Sequence, residues 1–490
     1  MRSYRRRAAR PILAVLMASA AVSGAGAQVQ VQSLAPPDLF STPAGETGLG
    51  PDLWKDTAPD LFRDVLPKLA AKPLSPAFAA LALRVLATGA NAPSSVGNDP
   101  DMGAARALAL LAAGDATGAG QVLDRAPGVA AHGPLSLAAA EAALIRGEDD
   151  KGCQTGEALT VDRGAAYWLR LRAFCQARAG QVDAAQLTFS LAQPQNPKQG
   201  GDADYARLMT AVLNGTPPGA ANLRNGVNLA LSRKLGLSLR APAAMATASP
   251  AISNAVRSAP LDTLTADGLD LTAAQSTSLA ALRQAKTLTV FLDAAKDASG
   301  PIRNLAQADA PLEDPVLFAR AALVAGDLAT AQQIRSRLTQ DQIPGASITD
   351  LALLDAMISA ASGKPDSQTL DRLVERGAQN GVKSPAQPAA LLLASLGGTM
   401  GPEARGQFAS FEVGRPAASI ARLVLLDDAA AAGRQGEAAL LALSIAAEAG
   451  VAGPAAVDRA RIASGLARAG LAANARAVVV EGLLALQLVK

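Results

Sequence analysis

Cys153 and Cys175 are the only cysteines in the chain, and His132 is the only histidine. Two cysteines in an oxidising compartment read as one disulfide. A bridge between them would close a loop of about 20 residues and stabilise the fold by roughly 3 kcal/mol in the chain-entropy account. Redox turnover is not expected from the pair, because the C-x-x-C spacing is missing. One histidine removes most metal sites and leaves room for at most one Ser-His-Asp arrangement. His132 stands beside Gly133 and Pro134, in a loop where solvated surface is the expectation.

Two acidic runs, Glu148-Asp149-Asp150 and Asp427-Asp428, are the other groups that could move protons. They fit helix ends or solvated turns better than a catalytic pair. Asp267-Gly268 has the look of a calcium loop, but Thr263, Thr265 and Ala274 stand where that loop needs its first, third and twelfth ligands. No Walker loop, G-x-G-x-x-G, G-x-S-x-G or S-x-x-K occurs. Tyr167-Trp168 is the one dense aromatic pair in a chain with 3% aromatics, too few to floor a sugar groove. Catalytic, metal-binding and cofactor-binding residues are accordingly none, and no cofactor is expected.

The elements that would position such groups are legible as periodicities. The first 27 residues have the parts of a secretory signal: five arginines between Arg2 and Arg10, an apolar core from Pro11 to Val22, and Ala25-Gly26-Ala27 as a cleavage site. Removing that segment takes the formal net charge from +3 to −2, so nothing calls for nucleic acid. No later run has the length of a membrane span. Export to the periplasm of a Gram-negative bacterium is the expectation.

Between Ala104 and Gln193, Gly114, Gly147 and Gly180 recur every 33 residues, each closing one apolar helical run before a second begins. Gly326, Gly433 and Gly470 continue the series. Five positions after these glycines stand Ala119, Gly152, Ala185, Ala331, Ala438 and Ala475. Seven before stand Ala107, Ala140, Ala173, Ala319 and Ala463, with Leu426 the exception. Small side chains at fixed places on both helices are what close helix packing needs. In that register Cys153 and Cys175 fall on neighbouring helices.

This pattern resembles the tetratricopeptide repeat, a helix-turn-helix with a Gly-Asp turn and small residues in this order. Gly114-Asp115 and Gly326-Asp327 reproduce the turn best. The resemblance covers about half the chain and implies an all-α fold of stacked hairpins, an α-solenoid, that binds peptide or protein along a concave face and has no chemistry of its own.

Residues 28–75 read as an extended lead containing three copies of Pro-Asp-Leu-aromatic, ending in Leu39-Phe40, Leu53-Trp54 and Leu61-Phe62. Each copy is a helix start or a tail that packs on the array; in the sharper reading, these six residues with Tyr167 and Trp168 anchor a partner. Hairpins are expected over 76–193 and 316–490, with irregular helical repeats or a hinge over 194–315. The last apolar run, Ala477 to Val489, must be buried on the preceding unit or a partner.

The expected function is a non-catalytic scaffold or assembly factor that binds an envelope or periplasmic protein. The alternative is a cell-wall-acting hydrolase or lyase using carboxylates on a helical superhelix, although no Glu-Ser dipeptide of the lytic-transglycosylase kind occurs.

Overall fold

The computed structural model describes residues 38–488 apart from 94, 194–201, 259–270, 340–342, 364 and 382–383. The expected signal at 1–27 and the Asp267-Gly268 loop lie outside the described residues. Among those described, the chain is all-α. Its helices are α1 (Pro59–Ala71), α2 (Pro76–Ala87), α3 (Pro100–Ala113), α4 (Ala116–Leu123), α5 (Gly133–Ile145), α6 (Asp149–Ala158), α7 (Ala166–Arg178) and α8 (Val182–Ala192). There follow α9 (Ala203–Asn214), α10 (Gly226–Lys234), α11 (Pro242–Met245), α12 (Pro250–Ser258), α13 (Leu271–Gln284), α14 (Leu288–Gln307), α15 (Pro315–Val324) and α16 (Leu328–Ser336). The last are α17 (Ile348–Ser362), α18 (Ser367–Asn380), α19 (Ala386–Ala394), α20 (Pro402–Phe408), α21 (Ile420–Ala431), α22 (Gln435–Ala449), α23 (Ala456–Arg468) and α24 (Ala472–Leu488).

The Gly-Asp turns work as two halves of one device. Gly114 sits at φ 110° and Gly326 at φ 91°, a left-handed conformation that ends the first helix and that a side chain would strain. The aspartate that follows caps the next helix: Asp115 Oδ1 accepts from Gly118 N at 2.7 Å, and Asp327 Oδ1 from Thr330 N at 3.0 Å. The hairpins α3–α4, α5–α6, α7–α8, α15–α16, α21–α22 and α23–α24 each pack helix on helix. Every small residue named for the two fixed positions is buried, as is Leu426. At Gly152 the fit is close, since a Cβ there would lie 2.9 Å from Leu144.

Two expectations change. Leu271 to Ala298 reads as one helical piece followed by a loop at Ser299 to Pro301, but the break falls earlier and Pro301 lies inside α14. Thr287 caps the new start by accepting from Val290 N, and the stripe Leu288, Phe291, Ala295, Ala298, Ile302 and Leu305 is buried. Burial of that continuous stripe outweighs the hydrogen bond that a helical proline forfeits. The lead also differs, because α1 occupies Pro59–Ala71 within it. Among the described residues, the second copy forms turns and the third begins a helix, with its proline in the first turn.

Tertiary packing brings the two ends of the described chain together. Helix α1 lies on α3 and α22, and α2 on α22 and α24. Helix α24 is shared by α2, α14, α15, α17, α19 and α23, which buries Val478, Val479, Leu483 and Leu484 of the last apolar run inside this chain. One hydrophobic core runs from Leu39 to Leu484, and a second, around Trp168 and Phe174, serves α5 to α10.

Candidate functional site

The lead residues expected as partner anchors are core side chains. Leu39, Phe40, Leu53, Trp54 and Phe62 are buried and Leu61 is half-buried. Their rings meet edge to face, Trp54 on Phe62 at 4.8 Å and Phe40 on Phe62 at 5.6 Å. Two glycines make room for them. A Cβ at Gly103 would lie 2.4 Å from Leu39 Cδ1, and one at Gly436 would lie 2.4 Å from both Leu53 O and Trp54 Cε3. The physical reason is volume: an alanine-rich chain fills its wide gaps with the few large rings it has.

Arg106 clamps the same segment from α3. Its guanidinium donates to the carbonyls of Leu86 at 2.9 Å, Leu39 at 2.7 Å, Thr42 at 3.0 Å and Thr88 at 3.2 Å, and it stands 5.4 Å from the Phe40 ring centroid. Burial lowers its pKa to about 10, against the opposing attraction of Asp38.

Trp168 is buried and Tyr167 half-buried, edge to face at 5.0 Å. Tyr167 Oη donates to Glu141 Oε1 at 2.7 Å, and Gly226 N donates to Glu141 Oε2 at 2.7 Å, which ties α5, α7 and α10 together. The carboxylate end of Glu141 lies inside this lobe although the residue as a whole is half-buried; burial raises its pKa and raises that of Tyr167 well above the usual phenol value. Cys153 on α6 and Cys175 on α7 form the expected disulfide, with Cα atoms 5.7 Å apart.

His132 has both ring nitrogens committed. Nδ1 accepts the N–H of Leu135 at 3.3 Å, capping α5, so the ring proton lies on Nε2, 3.0 Å from Asp101 Oδ1. The acidic runs are held by arginines: Asp149 by Arg233 at 2.8 Å, Asp150 by Arg178 at 2.9 Å, Asp427 by Arg461 and Arg468 at 2.5 Å, and Asp428 by Arg434 at 2.5 Å. Among the described residues no cluster of three or more His, Cys, Asp or Glu side chains has the geometry of a metal site. None of their helices is long and apolar enough to cross a membrane.

Sequence reasoning missed two features. The first is an apolar stripe on α21, where Ile420, Val424 and Leu425 are 61%, 57% and 50% exposed while Leu423 and Leu426 face the core. Residues 420, 424 and 425 follow helical i, i+4, i+5 spacing and share one side with exposed Ala421. Five large apolar residues within seven positions exceed what one-sided burial uses, and that surplus was the readable signal. Charged residues border the stripe, with Arg422 paired to Glu448 and Asp427 to Arg461 and Arg468.

The second is a buried ion pair that joins the ends of the described chain. Glu481 Oε1 accepts from Ser75 Oγ and Arg459 Nη1, and Oε2 accepts from Ala77 N, each at 2.6 Å. Arg459 also donates to the carbonyls of Pro454 and Ala452 and lies over Phe78. A lone glutamate inside the terminal apolar run was its signal.

The fold defines an all-α protein of packed helical hairpins. No protein-family model, curated protein or solved structure matches the chain.

Proposed function

We propose that this chain is an exported, non-catalytic protein-binding scaffold of the cell envelope. Its hairpins are degenerate tetratricopeptide-like units, stacked as an α-solenoid whose first and last helices meet. The observation that carries the binding role is the stripe Ile420, Val424 and Leu425. Leaving three large aliphatic side chains half or more in water on one helix forgoes burial worth roughly 1–1.5 kcal/mol each, and a polar rim around such a patch is the anatomy of an interface core. The N-terminal basic, apolar and Ala-x-Ala features together with one disulfide support export to the periplasm.

The test is site-specific photocrosslinking from position 424 in the tagged full-length protein, produced in a Gram-negative host and followed by fractionation. The expected result is one discrete adduct in the periplasmic fraction, lost when the crosslinker at 424 is combined with the charge substitution Ile420→Lys or Leu425→Lys and retained when it is combined with a substitution on α8. Cytoplasmic residence, or crosslinking indifferent to both lysines, overturns the proposal.

A further inference from the structure

Helices α2, α14, α15, α17 and α24 enclose a cavity of about 380 Å³ that opens to solvent, within the size range of small-molecule sites. Its wall is aliphatic, made chiefly by Leu288, Leu292, Leu323, Val324, Val480 and Leu484. Exposed Ala80, Gly326 and Ala473 form its mouth. No hydroxyl, amide or aromatic side chain contributes to the lining. Recognition there can use only two things, apolar shape and the two charged groups that reach it.

Those charges differ in what they have left to give. Glu481 has both oxygens engaged by Ser75, Ala77 N and Arg459, so its charge is already compensated. Arg476, half-buried on α24, makes no hydrogen bond and no ion pair among the described residues. Its guanidinium lies against Gly363, where a Cβ would be 3.1 Å from Nη1. It therefore stands at the C-terminal end of α17 without bonding a carbonyl there. A guanidinium carries five donors in a planar fork that fits carboxylate and phosphate. An apolar pocket whose lining includes one arginine with an unengaged guanidinium is complementary to an apolar chain with an anionic end.

We propose that this cavity binds an amphipathic anion, a single aliphatic chain lying along the leucine and valine wall with its carboxylate or phosphate on Arg476. Binding here is separate from the surface of α21 and does not rest on it.

The experiment is calorimetric titration of the detergent-free full chain with decanoate, decyl phosphate and decanol, and with octanoate and dodecanoate to vary length. Expected is saturable one-to-one binding of an anion, tightening about fourfold per added methylene until the cavity is full. Decanol should bind roughly tenfold or more weakly than the better anion, since a charge-assisted contact is lost. Preference for decanoate assigns the ligand to free acids, and preference for decyl phosphate to phosphorylated lipids; either supports the proposal. Arg476→Gln, which removes no bond within the fold, should bring the anions down to the affinity of decanol and leave decanol unchanged. Ala477→Phe, which fills the cavity from the neighbouring lining position on α24, should abolish all binding while circular dichroism stays the same. Absence of saturable binding, equal binding of anion and alcohol, or an anion preference that survives Arg476→Gln overturns it.

Discussion

Replacing Glu481 by alanine should be among the most damaging single changes in the described chain. The side chains of Arg459 and Glu481 are 2% and 7% exposed, so the guanidinium left behind could not recover its hydration. The N–H of Ala77 and the hydroxyl of Ser75 would lose their acceptor together with it. Removing one partner of a buried pair costs about 3–5 kcal/mol. Unfolding entropy of roughly 2 cal/mol/K per residue makes each kcal/mol worth about 1 °C in a chain of this length, so the thermal midpoint should fall by about 3–5 °C. Added salt should not narrow the gap, because water does not screen the pair. Glu481 joins the start of α2, 406 positions away at Ser75, to α23 through Arg459, so amide exchange should quicken first at the start of α2 and around residues 450–454. The double variant Arg459→Leu with Glu481→Leu should recover the part of the loss due to the orphan charge, since paired replacement leaves none, while Ser75 and the N–H of Ala77 stay without their acceptor. A Glu481→Ala midpoint within about 1 °C of wild type, or a double variant as unstable as the single one, would refute the reasoning.

Arg106→Leu should leave four carbonyls without their donor and free residues 38–58 for limited proteolysis; unchanged cleavage there would mean that the rings alone hold the lead. Reducing Cys153–Cys175, with 22 positions between its ends, should cost about 3 kcal/mol by chain entropy, seen as a lower denaturation midpoint with a phosphine reductant and no change in a variant carrying serine at both sites. Glu141 has a folded-state pKa raised by burial above its ordinary 4.5, so its contribution to stability is fully present below that value and is lost as pH rises through the raised one. Wild type should therefore lose stability relative to Glu141→Gln across that rise, and parallel melting curves for the two proteins would sink the assignment.

Removing residues 28–62 takes out Phe40, Trp54 and Phe62, and any loss of binding would follow from loss of core.

By itself, the sequence determined the local structure. Gly-Asp turns at 114–115 and 326–327, small residues five after and seven before the turn, and two cysteines on successive helices act through neighbours within about one hairpin, where backbone conformation and short-range packing decide. The all-α class and the disulfide followed from them. Tertiary structure decided whatever depends on residues far apart in the chain. Whether Leu39 and Trp54 faced a partner or the core was settled by Gly103 on α3 and Gly436 on α22, small residues whose vacant volume has no meaning until the helices meet. Pro301 stayed helical because its stripe found a core, and Glu481 was tolerated in an apolar run because Arg459, Ser75 and the N–H of Ala77 converged on it. Burial and electrostatic pairing are properties of position in space, which periodicity along one chain does not encode.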